Sequence, residues 1–395
     1  MLEPQRYACS DPDPEQPGTD AVRVRTLLDG SVENLLATWH PEFGRFPFSS
    51  RRAGSTLVHN YAHPVSPRYT INSLLGLAAA ARNGSLGVGE TQVQNMYGRF
   101  LATTTDPVLM PADHGLLAVL EAELGASRSA LRERMRGIAG RLAQPQTLNM
   151  QDLAWLLWGS AAAYRAGIAG GADAARDALA LILAELVDPG TGLPRHSQAR
   201  YRRNVVSFGS LVYFLRAMNE AAQTLGSERA RGLFERGVAQ AVSFQGPLGE
   251  WPWMIDCHSG RPFDRYPVFA VHQDGMAMLF LHPALDDGLP GIEAAISRSL
   301  AWDFGENELG AVMFTEKPFF AYRSIERTEH APRARRFLRS LPARARLSPT
   351  PGYAGAVRIN AECRSYHLGW ILYAWSSRPE ADRERAGRER IELSA

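Results

Sequence analysis

The chain has 395 residues, 45% hydrophobic and 21% charged, a composition that suits a folded protein with a large core and argues against disorder beyond the ends. Its 43 Lys and Arg against 41 Asp and Glu leave a net charge of +2, so no global field steers it toward polyanions and nucleic acid is a poor expectation. Three scattered cysteines (Cys9, Cys257, Cys363) make no disulfide framework and fit a reducing compartment; with no leader pattern and no apolar run of spanning length, the expected location is cytoplasmic.

Residues 1–20, rich in Pro, Asp and Gln, read as a loose tail, and 21–395 as one domain. A short helix is expected over 31–39, then a hairpin from 42–50 and 55–62 with "RRAG" as its turn. From residue 66 the chain becomes amphipathic helices paired across short Gly, Pro or Ser breaks. The predicted pairs are 66–83 with 89–103, 111–125 with 127–144, 149–167 with 171–188, 205–225 with 227–245, and 271–286 with 290–304. A last helix, 364–377, has either the charged tail at 379–391 or the N-terminal helix as its partner.

First members of the pairs begin alike: "SPRYTINSLLGLAAA", "PADHGLLAVLEA", "NMQDLAWLLWGSAAA", "VVSFGSLVYFLRAM", "VHQDGMAMLFL" and "CRSYHLGWILYAW". Each places polar groups before a run that is apolar nearly all round, as a helix buried on most sides requires. Second members, such as "SALRERMRGIAGRL", keep a charged face. Six buried helices ringed by six amphipathic ones describe an all-α (α/α)6 toroid with a small N-terminal β-hairpin. A linear solenoid would show the same pairs; the uneven repeat intervals favour closure.

In such a ring the starts of the inner helices converge on one funnel, and their polar residues become the candidate site. The first mouth offers His59, Asn60, His63, Arg68 and Tyr69; the second, Asp113 and His114; the third, Asn149, Gln151 and Asp152; the fourth, Arg203 and Asn204. Trp251, Trp253, Asp256, His272, Gln273 and Asp274 come from the fifth, and Asn360, Glu362, Arg364, Tyr366 and His367 from the sixth. Any single Asp or Asn here can equally be a helix cap. His, Arg, Tyr and Trp gain little from capping, so the fifth and sixth mouths carry the stronger signal.

The loop 246–275 is too long and aromatic for a plain connector. Trp251 and Trp253 either offer flat faces to a sugar or isoprenoid or lock the loop in place. Asp274 paired with Glu362 or Asp256 suits glycoside hydrolysis. Asn360, Arg364, Tyr366 and His367, helped by His272, suit neutralising a uronate carboxylate while Tyr or His moves a proton at carbon, as a lyase or epimerase requires. Gln273, Arg68, Tyr69, His63, His114 and Asp152 are expected to bind substrate. Cys257, His258, Cys363 and His367 raise the question of zinc, but without paired spacing no metal and no cofactor is expected. The basic clusters 200–204 and 331–347 are either a solvated face or a patch for an anionic ligand.

Taken with "VHQDGMAMLFL" and "CRSYHLGWILYAW", the paired helices from about residue 30 to 377 resemble the α/α toroid group. That group includes the six-hairpin glycosidases, sugar epimerases and uronate lyases, and also the class II terpenoid cyclases and lanthionine cyclases. "HQDGMAML" is similar to the D-x-D-D-T-A motif of the terpenoid cyclases in its last acid and following residues, with His272 and Gln273 at acid positions. "CH" at 257 and 258 looks like half of the lanthionine cyclases' zinc site, with Cys363 after it instead of before. The resemblance implies a saccharide-active enzyme taking a small-molecule or oligosaccharide substrate. A terpenoid-cyclase-like or zinc-dependent cyclase is the alternative, and a non-catalytic ligand-binding toroid the third; no oligomeric state follows.

Overall fold

The computed structural model describes residues 19–54, 56–104, 109–328, 332–345 and 356–378; the expected tail, Cys9 and the charged stretch 379–391 lie outside all or most of these. Helix α1 (Thr19–Thr38) starts well before the expected 31–39. Val24, Leu27, Leu28, Val32 and Leu35 recur at helical spacing and are all buried, a stripe that the interleaved arginines of "VRVRTLLDG" disguise. The hairpin is β1 (Ser49–Ala53) with β2 (Thr56–Asn60), in register from Ser49↔Asn60 to Ala53↔Thr56. Arg51 and Arg52 are therefore strand residues, and the turn tightens to Gly54, whose φ of 63° only glycine adopts without strain.

Five helical hairpins follow. They are α2 (Ser66–Asn83) with α3 (Glu90–Thr103), α4 (Asp113–Glu123) with α5 (Arg128–Leu142), and α6 (Met150–Arg165) with α7 (Gly171–Glu185). After β3 (Val205–Ser207) come α8 (Phe208–Leu225) and α9 (Glu228–Phe244). Strands β4 (Met254–Asp256), β5 (Arg261–Asp264) and β6 (Val268–Phe269) fill the long loop. A π-helical turn, His272–Met276, then leads into α10 (Met278–Asp286) and its partner α11 (Ile292–Asp303). The chain finishes with β7 (Phe314–Glu316), β8 (Phe319–Ala321), β9 (Ser324–Arg327), α12 (Pro332–Arg344), β10 (Val357–Asn360), β11 (Glu362–Cys363) and α13 (Ser365–Trp375).

Helices α2, α4, α6, α8, α10 and α13 form the inner ring, each packed on the next, and α13 closes it against α2. The partner of α13 is α1, so the N-terminal helix completes the sixth pair. The solenoid alternative is thereby removed. Glycines make the closure possible: a Cβ on Gly76 would overlap the Gly369 carbonyl, and one on Gly369 would overlap Asn72. Gly115 and Gly159 bring α4 and α6 together in the same way. Inner helices are buried on almost every side, whereas an outer helix such as α9 buries one stripe, Leu233, Phe234, Val238, Ala241 and Phe244. Aromatic side chains plug the bore: Trp155 meets Tyr213 at 4.9 Å, Tyr213 meets Trp370 at 6.0 Å, and Trp158 lies 6.2 Å from Trp370.

Four small antiparallel sheets (β11-β1-β2, β10-β9-β6, β3-β4-β5 and β7-β8) accompany the helices, where one hairpin was expected. Strands of two to five residues are too short to impose a readable period. Three of the sheets frame mouths, because β3 runs into α8, β6 precedes the π-helical turn and β11 runs into α13. Among the described residues no helix is long and apolar enough to cross a membrane.

Candidate functional site

Two of the helix starts at the funnel end, those of α6 and α8, are built from ordinary capping chemistry. Asn149 and Asp152 form a reciprocal capping box on α6, and Ser207 accepts from the Ser210 amide on α8. What capping does not explain is the cluster around the first, second and third mouths. Arg68 donates from Nε to Asp113 Oδ1 at 2.6 Å and lies 4.9 Å over the Trp155 ring. The other oxygen of Asp113 accepts from the Met110 amide at 2.8 Å. Asp152 feels both of these groups: burial raises its carboxyl above the usual range, Arg68 pulls it back and Asp113 pushes it up.

An aromatic wall stands beside them. Phe48 stacks on His63 at 3.5 Å and on Tyr69 at 4.9 Å, and Tyr69 meets Tyr366 at 4.4 Å. Arg364 lies 3.8 Å over the Phe48 ring. Glu362 receives Arg364 (2.6 and 2.9 Å), Arg323 (2.9 Å) and Arg51 (3.0 and 3.2 Å). Burial alone would raise its carboxyl, but these guanidinium groups win and hold it below the usual range. Two guanidinium nitrogens in this cluster, Arg68 Nη2 and Arg364 Nη1, are buried without an acceptor among the described residues.

Deeper in the ring, His367 Nε2 contacts both oxygens of Asp274 at 2.8 Å. The two mouths therefore meet, as closure of the ring demands. Burial raises the Asp274 carboxyl, with the His367 contact opposing. His272 is pushed down to about 3, by burial first and by His367 second. Trp375 donates its indole N–H to the Asp274 carbonyl at 2.6 Å. Near this pair lies Asp303, at the end of α11, whose two oxygens find no partner among the described residues. Burial and the Asp274 charge raise its carboxyl well above the usual range.

Other expected residues have different surroundings. Asp256 closes a turn, accepting from the His258 amide (3.1 Å), the Ser259 amide (3.3 Å) and the Ser259 hydroxyl (2.6 Å). Trp251 is fully buried, stacks on Phe208 at 5.1 Å and donates to Ser299 at 2.6 Å, so it offers no face to a ligand. Trp253 is half-buried, 6.1 Å from His272. Gln273 donates to the Phe269 carbonyl at 3.2 Å, and Asn360 to Glu326 at 3.2 Å. His114 is buried against Gly137 of α5, which turns it away from the funnel toward the outer helix. His59 bonds Ser50 at 2.7 Å, and Asn204 donates to Ala343 O at 3.2 Å.

Cys257 lies in the turn after β4 and Cys363 in β11, and burial pushes both thiols up to about 12. No group of three or more His, Cys, Asp or Glu suited to a metal occurs among the described residues. Phe48, Arg323 and Asp303 escaped the sequence reading, since nothing local to them marks their long-range partners. Asp113 was visible there as a helix start, and its pairing with Arg68 was not.

No family model matches the chain, and no curated protein matches it. Solved structures do. An unsaturated glucuronyl hydrolase specific for heparin aligns with a TM-score of 0.59 at 12% identity, covering 94% of this chain and 98% of that one. Cellobiose 2-epimerase from Bacillus thermoamylovorans aligns at 0.59 and 11%, covering 91% and 100%. An α-mannanase from Bacteroides thetaiotaomicron aligns at 0.54 and 10%, covering 95% and 100%. By fold, this chain is an α/α toroid like these structures.

Proposed function

We propose that the chain is a carbohydrate-active enzyme that draws an acidic saccharide into the funnel and hydrolyses its glycosidic bond, with Asp152 as the general acid. The observation that carries this reading is the meeting of a buried, proton-retaining carboxyl with guanidinium N–H groups that have no acceptor. Asp152 keeps its proton to higher pH than a free aspartate, and Arg68 beside it has Nη2 unbonded. Arg364 Nη1 supplies a second such donor across the Tyr69 and Tyr366 stack. A uronate carboxylate satisfies these donors, and the half-exposed aromatic rings suit the apolar face of a sugar. Neutral sugars would leave the donors empty.

In the reaction, Asp152 gives its proton to the glycosidic oxygen as the carbon–oxygen bond breaks. Water then adds to the carbon and returns a proton to the Asp152 carboxylate, so atoms and charge balance. The fold neighbours support this class of chemistry, since their names describe an unsaturated glucuronyl hydrolase, an epimerase and a mannanase. A second reading rests on the Asp274 and His367 contact beneath Tyr366: proton movement at carbon, as in an epimerase or lyase. The terpenoid-cyclase alternative is weakened because His272 is held neutral and Gln273 is engaged with backbone.

Incubation with acidic and neutral oligosaccharides tests the proposal. New reducing ends from the acidic set are expected. Conversion of a sugar without new reducing ends favours the second reading, and no change in any saccharide rejects both.

A further inference from the structure

A concave site with no role so far lies beside the funnel. Helix α12 packs over β3 and β5 and encloses a cleft of about 250 Å³ lined by His196, Arg202, Ser207, Phe337, Ser340 and Arg344, among others. Its volume is just below the roughly 300 Å³ at which whole-ligand sites begin, so it suits part of a larger molecule. Ser207 both lines the cleft and caps the start of α8, which places the cleft at the funnel end of the ring.

The charge in the cleft is one-sided. Arg344 stacks 5.3 Å over the Phe337 ring, donates to Ser340 Oγ at 2.7 Å and also bonds the Tyr201 carbonyl, so it is fixed in place. Arg202 is exposed, and its guanidinium has no partner among the described residues. Burial lowers the pKa of His196, and Arg202 and Arg344 lower it further, as expected at a positive spot. Among the described residues no acidic side chain lines the cleft. Phe337 is 54% exposed, a flat apolar surface at the rim.

We infer that this cleft is a second subsite, holding an anionic group of the same saccharide chain whose reacting unit occupies the funnel. Arg202 and Arg344 neutralise the carboxylate or sulfate, and Phe337 packs against the ring face. This rests on the proposed function and adds that the preferred substrate is an acidic oligosaccharide. An acidic disaccharide occupies the funnel alone.

Calorimetric titration of the full chain with an acidic disaccharide and an acidic octasaccharide of the same repeat tests it. The wild type is expected to bind the octasaccharide at least about tenfold more tightly, and Arg202→Glu to shrink that gain to within about twofold. Equal binding of the two lengths by the wild type, or a gain that survives Arg202→Glu, overturns the subsite. Disaccharide binding that Arg68→Ala weakens keeps the functional reading alive in that case. Failure of both saccharides to bind ends both. The exposed Leu338 and Leu341 on α12 provide another arm: vesicles rich in anionic lipid that hold the protein without any dependence on saccharide length would reassign this face to membranes and overturn the subsite.

Discussion

The two ends of the inner ring use arginine and carboxylate in opposite ways. At the C-terminal end, arginines and carboxylates form ion pairs: Arg82 with Glu123, Arg165 and Arg216 with Glu220, and Arg378 with Asp286. Arg82 and Arg165 also stand in the last turns of their helices, where cations complement the helix dipole. At the N-terminal end the helix dipoles present positive charge, and arginines gather there regardless. Arg68, Arg364 and Arg323 hold Asp113 and Glu362, yet each keeps a buried nitrogen without an acceptor. A buried donor without an acceptor is costly; Arg216 Nε at the other end is one too, but among the described residues a single such nitrogen accompanies the pairs named there against three here. Open donors beside a buried acid are the feature on which the proposed ligand-binding role of the funnel rests.

The sharpest way to break this contrast is Asp152→Asn. It should lower kcat by a factor of about 10² to 10⁴ while thermal unfolding barely shifts, because Asn still caps α6. A large loss of melting temperature with kcat retained would make Asp152 a cap and nothing more. Glu362→Gln should come next: removing the carboxylate leaves the buried Arg364 and the half-buried Arg323 guanidinium groups poorly paired, at a cost on the order of 3 kcal/mol read by denaturant unfolding. Since Glu362 has a lowered pKa in the folded chain, its contribution is present above the unfolded carboxylate value and is lost as pH falls through the folded one.

Asp303 has the opposite sign. Its raised pKa makes its contribution full below the unfolded carboxylate value and lost as pH rises from there toward the folded one, so Asp303→Asn should flatten a decline in stability that begins in mild acid, by on the order of 1 kcal/mol or more. An unchanged pH profile would show that the carboxyl is hydrated or paired in solution. At the closed end, Arg378→Ala should change stability by only about 0 to 1 kcal/mol, because Asp286 is largely exposed, and should leave turnover alone. An activity loss there would blur the distinction between the two ends.

The inner helices were legible because their apolar runs wrap the whole helix, and the outer ones because charge stays on one face. Ring order then brought Asp274 and His367 together from positions 93 residues apart. The sheets were illegible: β6 and β11 have two residues each, and their partners β9 and β1 lie far away in sequence. Helix α12 carries so many arginines that its packing side, Ser340 and Ala343, does not stand out. Trp251 shows the limit of composition, since an aromatic in a long loop reads the same whether it faces a ligand or, as here, Ser299. The link between Arg68 and Asp113 joins two helix starts 45 residues apart, and Asp113 alone looks like a cap.

Calorimetric titration of the wild type and Arg68→Ala with a uronic-acid disaccharide and its carboxyl-reduced neutral counterpart tests the central claim most directly. The account predicts at least about tenfold tighter binding of the acid by the wild type, and loss of that preference in Arg68→Ala. Equal affinity for the two sugars, or a preference untouched by Arg68→Ala, would contradict it.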